Sequence, residues 1–349
     1  MNKQIKYFLK RVGIFLVPFF IVLISFFILD PFKILYEYKN YSGSFIQLNR
    51  DVISSKTLIK NYDKYKYNSF IFGSSRTVAF KTWDWKNHLD SSGVLFSFDA
   101  SNENIFGMLT KIKYLNDNHI KIDNALLVVC SDATFLSISD LDGPLYIKYP
   151  DIASTNQLNF YLTFISSWFD KLFFVKYIDY KFFQVQREYS KDIIEPQNID
   201  YDDVYNNFFI TKIDRQLKSR PDAYYSEMLK DSLFYKKQIP AMIEEPQIND
   251  IAIEYLREMA GILKHNNTNY KLVISPLYNT PKFNITDYET LVRIFGSENV
   301  FDFSGENSIT SNYRNYYERS HYRPEVGRQI LEIIYSDNAK SKINQLTQN

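Results

Sequence analysis

The 349-residue chain has almost no cysteine, and a single one, Cys130, excludes a disulfide framework or a cysteine-based zinc site within one chain. Cys130 sits in the apolar run Ala-Leu-Leu-Val-Val-Cys and reads as a small buried residue. An excess of one charge is missing as well. With 41 basic and 40 acidic residues the formal net charge is +1, so no overall field exists to hold nucleic acid or an acidic polymer. A nucleic-acid partner is not expected. Histidine is scarce, with 4 residues, so imidazole chemistry must come from His88, His119, His265 or His321. Glycine is scarce too at 10 residues, whereas 29 Phe and 28 Tyr make aromatics abundant, read as a mixed core and surface population.

Long hydrophobic runs are lacking after the first 30 residues. Val12 to Leu29 is apolar apart from Gly13, Pro18 and Ser25, and a helix of that length, at about 1.5 Å per residue, approaches the roughly 30 Å hydrocarbon core of a bilayer. Lys3, Lys6, Lys10 and Arg11 crowd its amino side, and Asp30-Pro31 closes the other. The positive-inside rule then keeps 1–11 in the cytoplasm and exports the remainder. A cleavable signal peptide is the competing reading, but the run is long and ends without an Ala-x-Ala-like site, which favours an uncleaved anchor over 12–29.

Residues 30–67 carry charge and tyrosine with patchy helical spacing and read as a juxtamembrane segment. Beyond them, short continuous apolar runs predict strands at 70–72, 94–98, 126–130, 270–274 and 300–303. Helical spacing predicts helices at about 105–115, 251–263, 288–295 and after Pro324. Such alternation predicts an α/β fold, a three-layer α/β/α domain with a parallel, flavodoxin-like sheet, in two parts at 68–135 and 249–336. Residues 136–248 break the rhythm with aromatics, charge and Pro196, Pro221, Pro240 and Pro246. They read as a mainly helical insertion, either packing its aromatics as extra helices or serving as a lid, membrane-facing or partner-facing surface. Residues 337–349 read as a polar tail.

Sites in parallel sheets lie at the carboxyl ends of strands. The first strand ends in Gly73-Ser74-Ser75-Arg76, a tight turn presenting a serine where the next segment begins. A serine needs a base to become a nucleophile. His88, His119 and His265 have polar, surface-like surroundings, whereas His321 lies in a loop before a helix with Glu318 three residues earlier, placed to orient its ring. Read by itself, that local pair equally fits a helix-terminus ion pair.

Together, Gly73-Ser74-Ser75 and Glu318-Arg319-Ser320-His321 resemble the first and last sequence blocks of the SGNH hydrolase superfamily, and more closely its membrane-anchored bacterial branch that handles acyl groups on cell-envelope polymers. Tyr-Arg-Pro-Glu-Val-Gly at 322–327 also looks like that branch. The likeness covers roughly 65–135 and 270–335 and leaves the insertion unmatched. It implies Ser75 as nucleophile, His321 as base and Glu318, in place of the usual Asp, as orienting acid. It departs at the middle blocks, where a Gly amide and an Asn side chain are usual and Ala100-Ser101-Asn102 and Ser131-Asp132-Ala133 stand here. An ionised Asp132 cannot donate a hydrogen bond, so the oxyanion donors implied are the Ser75 amide, Ser101, Asn102 and Asn104. Arg76, Asp132, Tyr322 and Arg323 are the candidate substrate-binding residues, with Arg76 either meeting an anionic group or salt-bridged in the site wall.

The resemblance implies acyl transfer through an acyl-enzyme on an exported polysaccharide or other envelope polymer, with no metal or diffusible cofactor. The implied partners are the acylated glycan and a multispanning membrane O-acyltransferase, and the implied location is the bacterial inner membrane with the main domain outside. A non-catalytic envelope assembly or glycan-binding module with a degenerate site is the alternative.

Overall fold

The computed structural model describes residues 3–139, 141–196, 198–231, 234, 243–278 and 282–346. Residues 235–242 of the expected insertion, with Pro240, lie outside the described residues, as do 1–2 and 347–349 of the expected tails.

The apolar runs pair as buried parallel strands. Ser69–Gly73 (β1), Leu95–Ser97 (β2), Asn124–Val129 (β3), Asn269–Ile274 (β4) and Val300–Asp302 (β5) form a parallel sheet in the order β2-β1-β3-β4-β5. Successive strand residues face opposite sides. Phe70, Phe72, Leu127 and Val129 therefore enter one apolar cluster, with Met108 and Ile112 of helix Ile105–Asp117 and Leu256 and Met259 of helix Asp250–His265. Ile71, Leu126 and Val128 enter a second, with Val326, Ile330 and Leu331 of helix Pro324–Ile334. The fold is α/β around a five-stranded parallel sheet, and all five predicted strands belong to it.

One helix, Lys3–Leu29, is long and apolar enough to cross a membrane, and it is almost wholly exposed. Asp30 ends it. The Asp30 carboxylate accepts hydrogen bonds from the amides of Ile34 and Leu35, each at 2.9 Å, and folds the chain back. The segment read as juxtamembrane then contributes a full helix, Arg50–Tyr65, capped by Asn49 accepting from the Val52 amide. Leu58 of this helix, and Tyr67 just beyond it, pack in the first sheet cluster. Sequence periodicity missed the helix because its buried face carries polar residues: Arg50, Asp51 and Ser54 find partners inside, and Ser55 is buried with its hydroxyl unpaired.

Asp51 belongs to a set of four interior charges, with Glu103, Lys111 and Lys148, all of them buried. Lys111 Nζ lies 2.5 Å from Glu103 Oε2 and 3.1 Å from Asp51 Oδ2, and Lys148 also pairs with both acids. Two positive and two negative charges cancel, which offsets a desolvation cost that would otherwise exceed the attraction. Burial raises the Asp51 carboxyl, but Lys111, Lys148 and the Tyr149 amide outweigh it and bring it down to about 2. Because this is below the unfolded value of about 3.9, the ionised group contributes stability above about pH 4, and that stability is lost as pH falls toward 2. Acid unfolding followed by circular dichroism should begin in that window. Asp51→Asn should flatten the pH dependence there and be less stable at pH 7, where its two lysines are left short of charge; wild-type stability at pH 7 would contradict the pairing.

The 136–248 stretch is largely helical where described, with one short antiparallel pair, Asp200–Tyr201 with Phe208–Phe209. Its helices Gln157–Phe169 and Phe173–Phe183 pack with the end of the Lys3–Leu29 helix and residues 32–48 in a third apolar cluster.

Candidate active site

β1 ends at Gly73, and nothing larger fits there. Its φ is +152°, and a Cβ would lie 2.5 Å from the Val128 carbonyl oxygen of the neighbouring strand. The sharp turn buries Ser74 completely and leaves Ser75 half-buried at the start of a 3-10 turn, Ser75–Ala79. The Ser74 hydroxyl faces Cys130 Sγ at 3.8 Å, away from any base. As the first residue of the turn, Ser75 has an amide that the turn itself does not use.

The histidine comes from an antiparallel hairpin of Tyr316–Glu318 (β6) and His321–Tyr322 (β7), whose register sets Glu318 opposite His321. His321 Nε2 lies 2.7 Å from Ser75 Oγ, and Nδ1 is hydrogen-bonded to Glu318 Oε1. Glu318 Oε2 accepts from the Ser320 amide at 2.8 Å. Burial raises the Glu318 carboxyl, but the His321 hydrogen bond and charge, the Ser320 amide and Arg76 together hold it below the ordinary carboxylate value. An ionised Glu318 fixes the proton on Nδ1 and leaves Nε2 free to accept from Ser75.

Serine turn and histidine hairpin are held together by backbone contact. Helix Pro324–Ile334 follows His321 directly, and at Gly327 a Cβ would lie 2.0 Å from the Ala79 carbonyl oxygen. Arg76 Nε adds a hydrogen bond of 3.1 Å to the Ser320 carbonyl. Gly327→Ala must therefore push the helix off the serine turn. We expect a loss of about 1–3 kcal/mol of stability from the overpacking; a urea titration checks it, and wild-type stability would refute the close contact.

The other sequence candidates separate. Arg76 Nη2 lies 2.5 Å from Asp132 Oδ2, so these two are spent on each other in the site wall. Ser101 and Asn102 line the same cleft as Ser75 and His321, and Asn102 takes a left-handed φ of +51°. Asn104 does not serve there: its Oδ1 caps helix Ile105–Asp117 by accepting from the Gly107 amide, and its Nδ2 donates to the Ser139 carbonyl. Tyr322 is fully enclosed, its hydroxyl 3.2 Å from Ser275 Oγ, and Arg323 is turned to the Arg314 carbonyl and Glu325. Neither lines the cleft.

Sequence reasoning missed the opposite wall. The cleft, about 540 Å³, is completed by residues from outside the two expected halves, among them Leu48, Arg50, Tyr146, Ile199, Tyr201, Phe208 and Ile213. Arg50 is fixed by Asp99, with Nε 3.0 Å from Oδ2 and Nη2 2.7 Å from Oδ1, and Nη1 donates to Asn206 Oδ1 at 2.9 Å. Its guanidinium also stacks under Phe208 at 4.8 Å and Tyr201 at 5.2 Å. Asp99 Oδ2 lies 3.0 Å from Thr77 Oγ1, and Thr77 Oγ1 lies 2.9 Å from the Ser74 carbonyl, so this network reaches the serine turn. The insertion also braces β6, where the Tyr224 hydroxyl donates to the Tyr317 carbonyl at 2.6 Å and the Tyr317 hydroxyl to Asp214 at 2.6 Å. Among the described residues no group of three or more His, Cys, Asp or Glu is arranged to hold a metal ion. No family model, curated protein or solved structure matches the chain.

Proposed function

We propose that this chain is a membrane-anchored serine esterase or O-acyltransferase, similar to the SGNH hydrolases of three-layer, flavodoxin-like fold, acting on an acylated polysaccharide or other envelope polymer outside the bacterial inner membrane. The carrying observation is Ser75 Oγ at 2.7 Å from His321 Nε2, with Glu318 on the far ring nitrogen. His321 takes the Ser75 proton as Oγ attacks the ester carbonyl, and the Ser75 amide and Asn102, which lines the same cleft, are the donors to meet the oxyanion. The imidazolium then gives its proton to the departing alcohol as the C–O bond breaks. Water or a sugar hydroxyl, deprotonated by His321, attacks the acyl-enzyme and regenerates Ser75.

Both arginines lining the cleft are committed to carboxylates, Arg50 to Asp99 and Arg76 to Asp132, which supports an uncharged ester over an anionic one. The full chain in detergent should release acetate from an acetyl ester, or move it to a glycan acceptor from the same donor. Turnover with neither, across acyl donors and acceptors, would overturn this reading and leave a glycan-binding or assembly role. That second reading draws on Asp132, which stands where a donor is usual and is held by Arg76.

A further inference from the structure

The helices Gln157–Phe169 and Phe173–Phe183 form a hairpin with an unusual surface. Leu158, Leu162, Leu172, Val175, Phe182 and Phe183 are 45% to 75% exposed, six large apolar side chains open on the one hairpin of residues 157–183. The opposite side of the same hairpin is well packed, with Phe160, Phe164, Trp168 and Tyr177 buried. The exposed face is thus a second face, distinct from the one that holds the hairpin to the domain.

The Lys3–Leu29 helix tells what covers it. Phe169 stacks on Phe19 with centroids 5.1 Å apart, and Trp168 Nε1 donates to the Val22 carbonyl at 3.0 Å. Phe19 precedes Leu29, the end of the apolar run, by about 15 Å of helix. Lys10 and Arg11 leave the run no slack on its other side, since Val12 to Leu29 barely matches the hydrocarbon thickness. If Lys3–Leu29 spans, the turn between the hairpin helices cannot lie in water. Among the described charged side chains of the hairpin, Lys176 pairs with Asp192, Asp179 pairs with Arg187, and Lys181 lies over the Tyr177 ring at 5.9 Å, while Asp170 stands at the turn.

We propose that residues 157–183 form a re-entrant membrane element that dips into the outer leaflet beside the anchor and buries its exposed face in phospholipid acyl chains. Leu172 is its deepest point, and Leu158, Phe182 and Phe183 lie near the headgroups. The inference rests on the anchor reading of Lys3–Leu29 and is independent of the chemistry at Ser75.

The test uses the full chain in phosphatidylcholine–phosphatidylglycerol vesicles with bimane on single introduced cysteines, Cys130 being buried and the unsubstituted chain serving as labelling control. Leu172→Cys and Phe182→Cys report on the hairpin, Ile21→Cys on the anchor and Lys121→Cys on water. All four side chains are exposed, and circular dichroism verifies each fold. The label at 172 should be quenched by acyl-brominated lipid within twofold of the label at 21, and be at least fivefold less accessible to iodide than the label at 121. The label at 182 should be quenched most by lipid brominated near the headgroup. Labels at 172 and 182 behaving like that at 121 while 21 is quenched by lipid would overturn the hairpin alone. All labels behaving like that at 121 would overturn anchor and hairpin together, and shielding from iodide without lipid quenching would show a protein partner there and overturn lipid as the occupant.

Discussion

Ser75→Ala is expected to lower kcat/KM for a small acetyl ester by at least about a thousandfold, and His321→Ala by a similar factor, because each removes half of one proton-transfer unit. The geometry makes the two losses one: Nε2 has no other described partner than Ser75 Oγ, so the double variant should be no worse than either single one. Glu318→Gln keeps the shape but can present its amide to Nδ1, favouring the wrong tautomer, and should fall between wild type and the alanine variants. Ser74→Ala is the internal control. Its hydroxyl is buried against Cys130 and should be dispensable for turnover. Steady-state kinetics on the detergent-solubilised chain decide the matter, and ester cleavage by Ser75→Ala at the wild-type rate would remove the serine from the mechanism.

Arg50→Met should cost about 3–5 kcal/mol, the range for breaking a buried ion pair from one side. Arg50 and Asp99 have side chains only 4% and 0% exposed, so the carboxylate left behind has no water to turn to. Thr77 and Ser97 remain near it, but neither supplies charge. The double variant Arg50→Met, Asp99→Leu should recover much of the loss, because the expensive state is the unpaired charge rather than the missing bridge. Urea midpoints at fixed m-value measure all three proteins. A cost below about 1 kcal/mol for the single variant would mean that the pair is solvated after all.

The sheet was readable because parallel strands buried on both faces must be apolar at every position, and Phe70-Ile71-Phe72 or Leu126 to Val129 cannot be anything else at that length. Ser75, Glu318 and His321 were readable because scarcity helps: four histidines leave few alternatives. The far wall was not. Arg50 and Asp51 look like surface charges in a polar stretch, and only the fold reveals that Asp99, Lys111 and Lys148 meet them inside. Asn104 misled for a related reason, since its position after the second strand suits both a cleft donor and a helix cap, and the cap took it. One clue was present: Asn49 followed by Arg50-Asp51-Val52 has a helix N-terminal form, with an acid in the first turn.

The sequence separation of 246 between Ser75 and His321 makes their contact a reporter of folding order. Closing so long a loop pays its entropy before any contact returns it, so the site has no local precursor and should form late. Made from the amino end, the chain delivers the apolar Lys3–Leu29 helix first and His321 almost last. A chain still being made therefore carries a serine turn without a histidine, and the Ser75–His321 contact should form only with the slowest refolding phase, after most of the helical signal has returned.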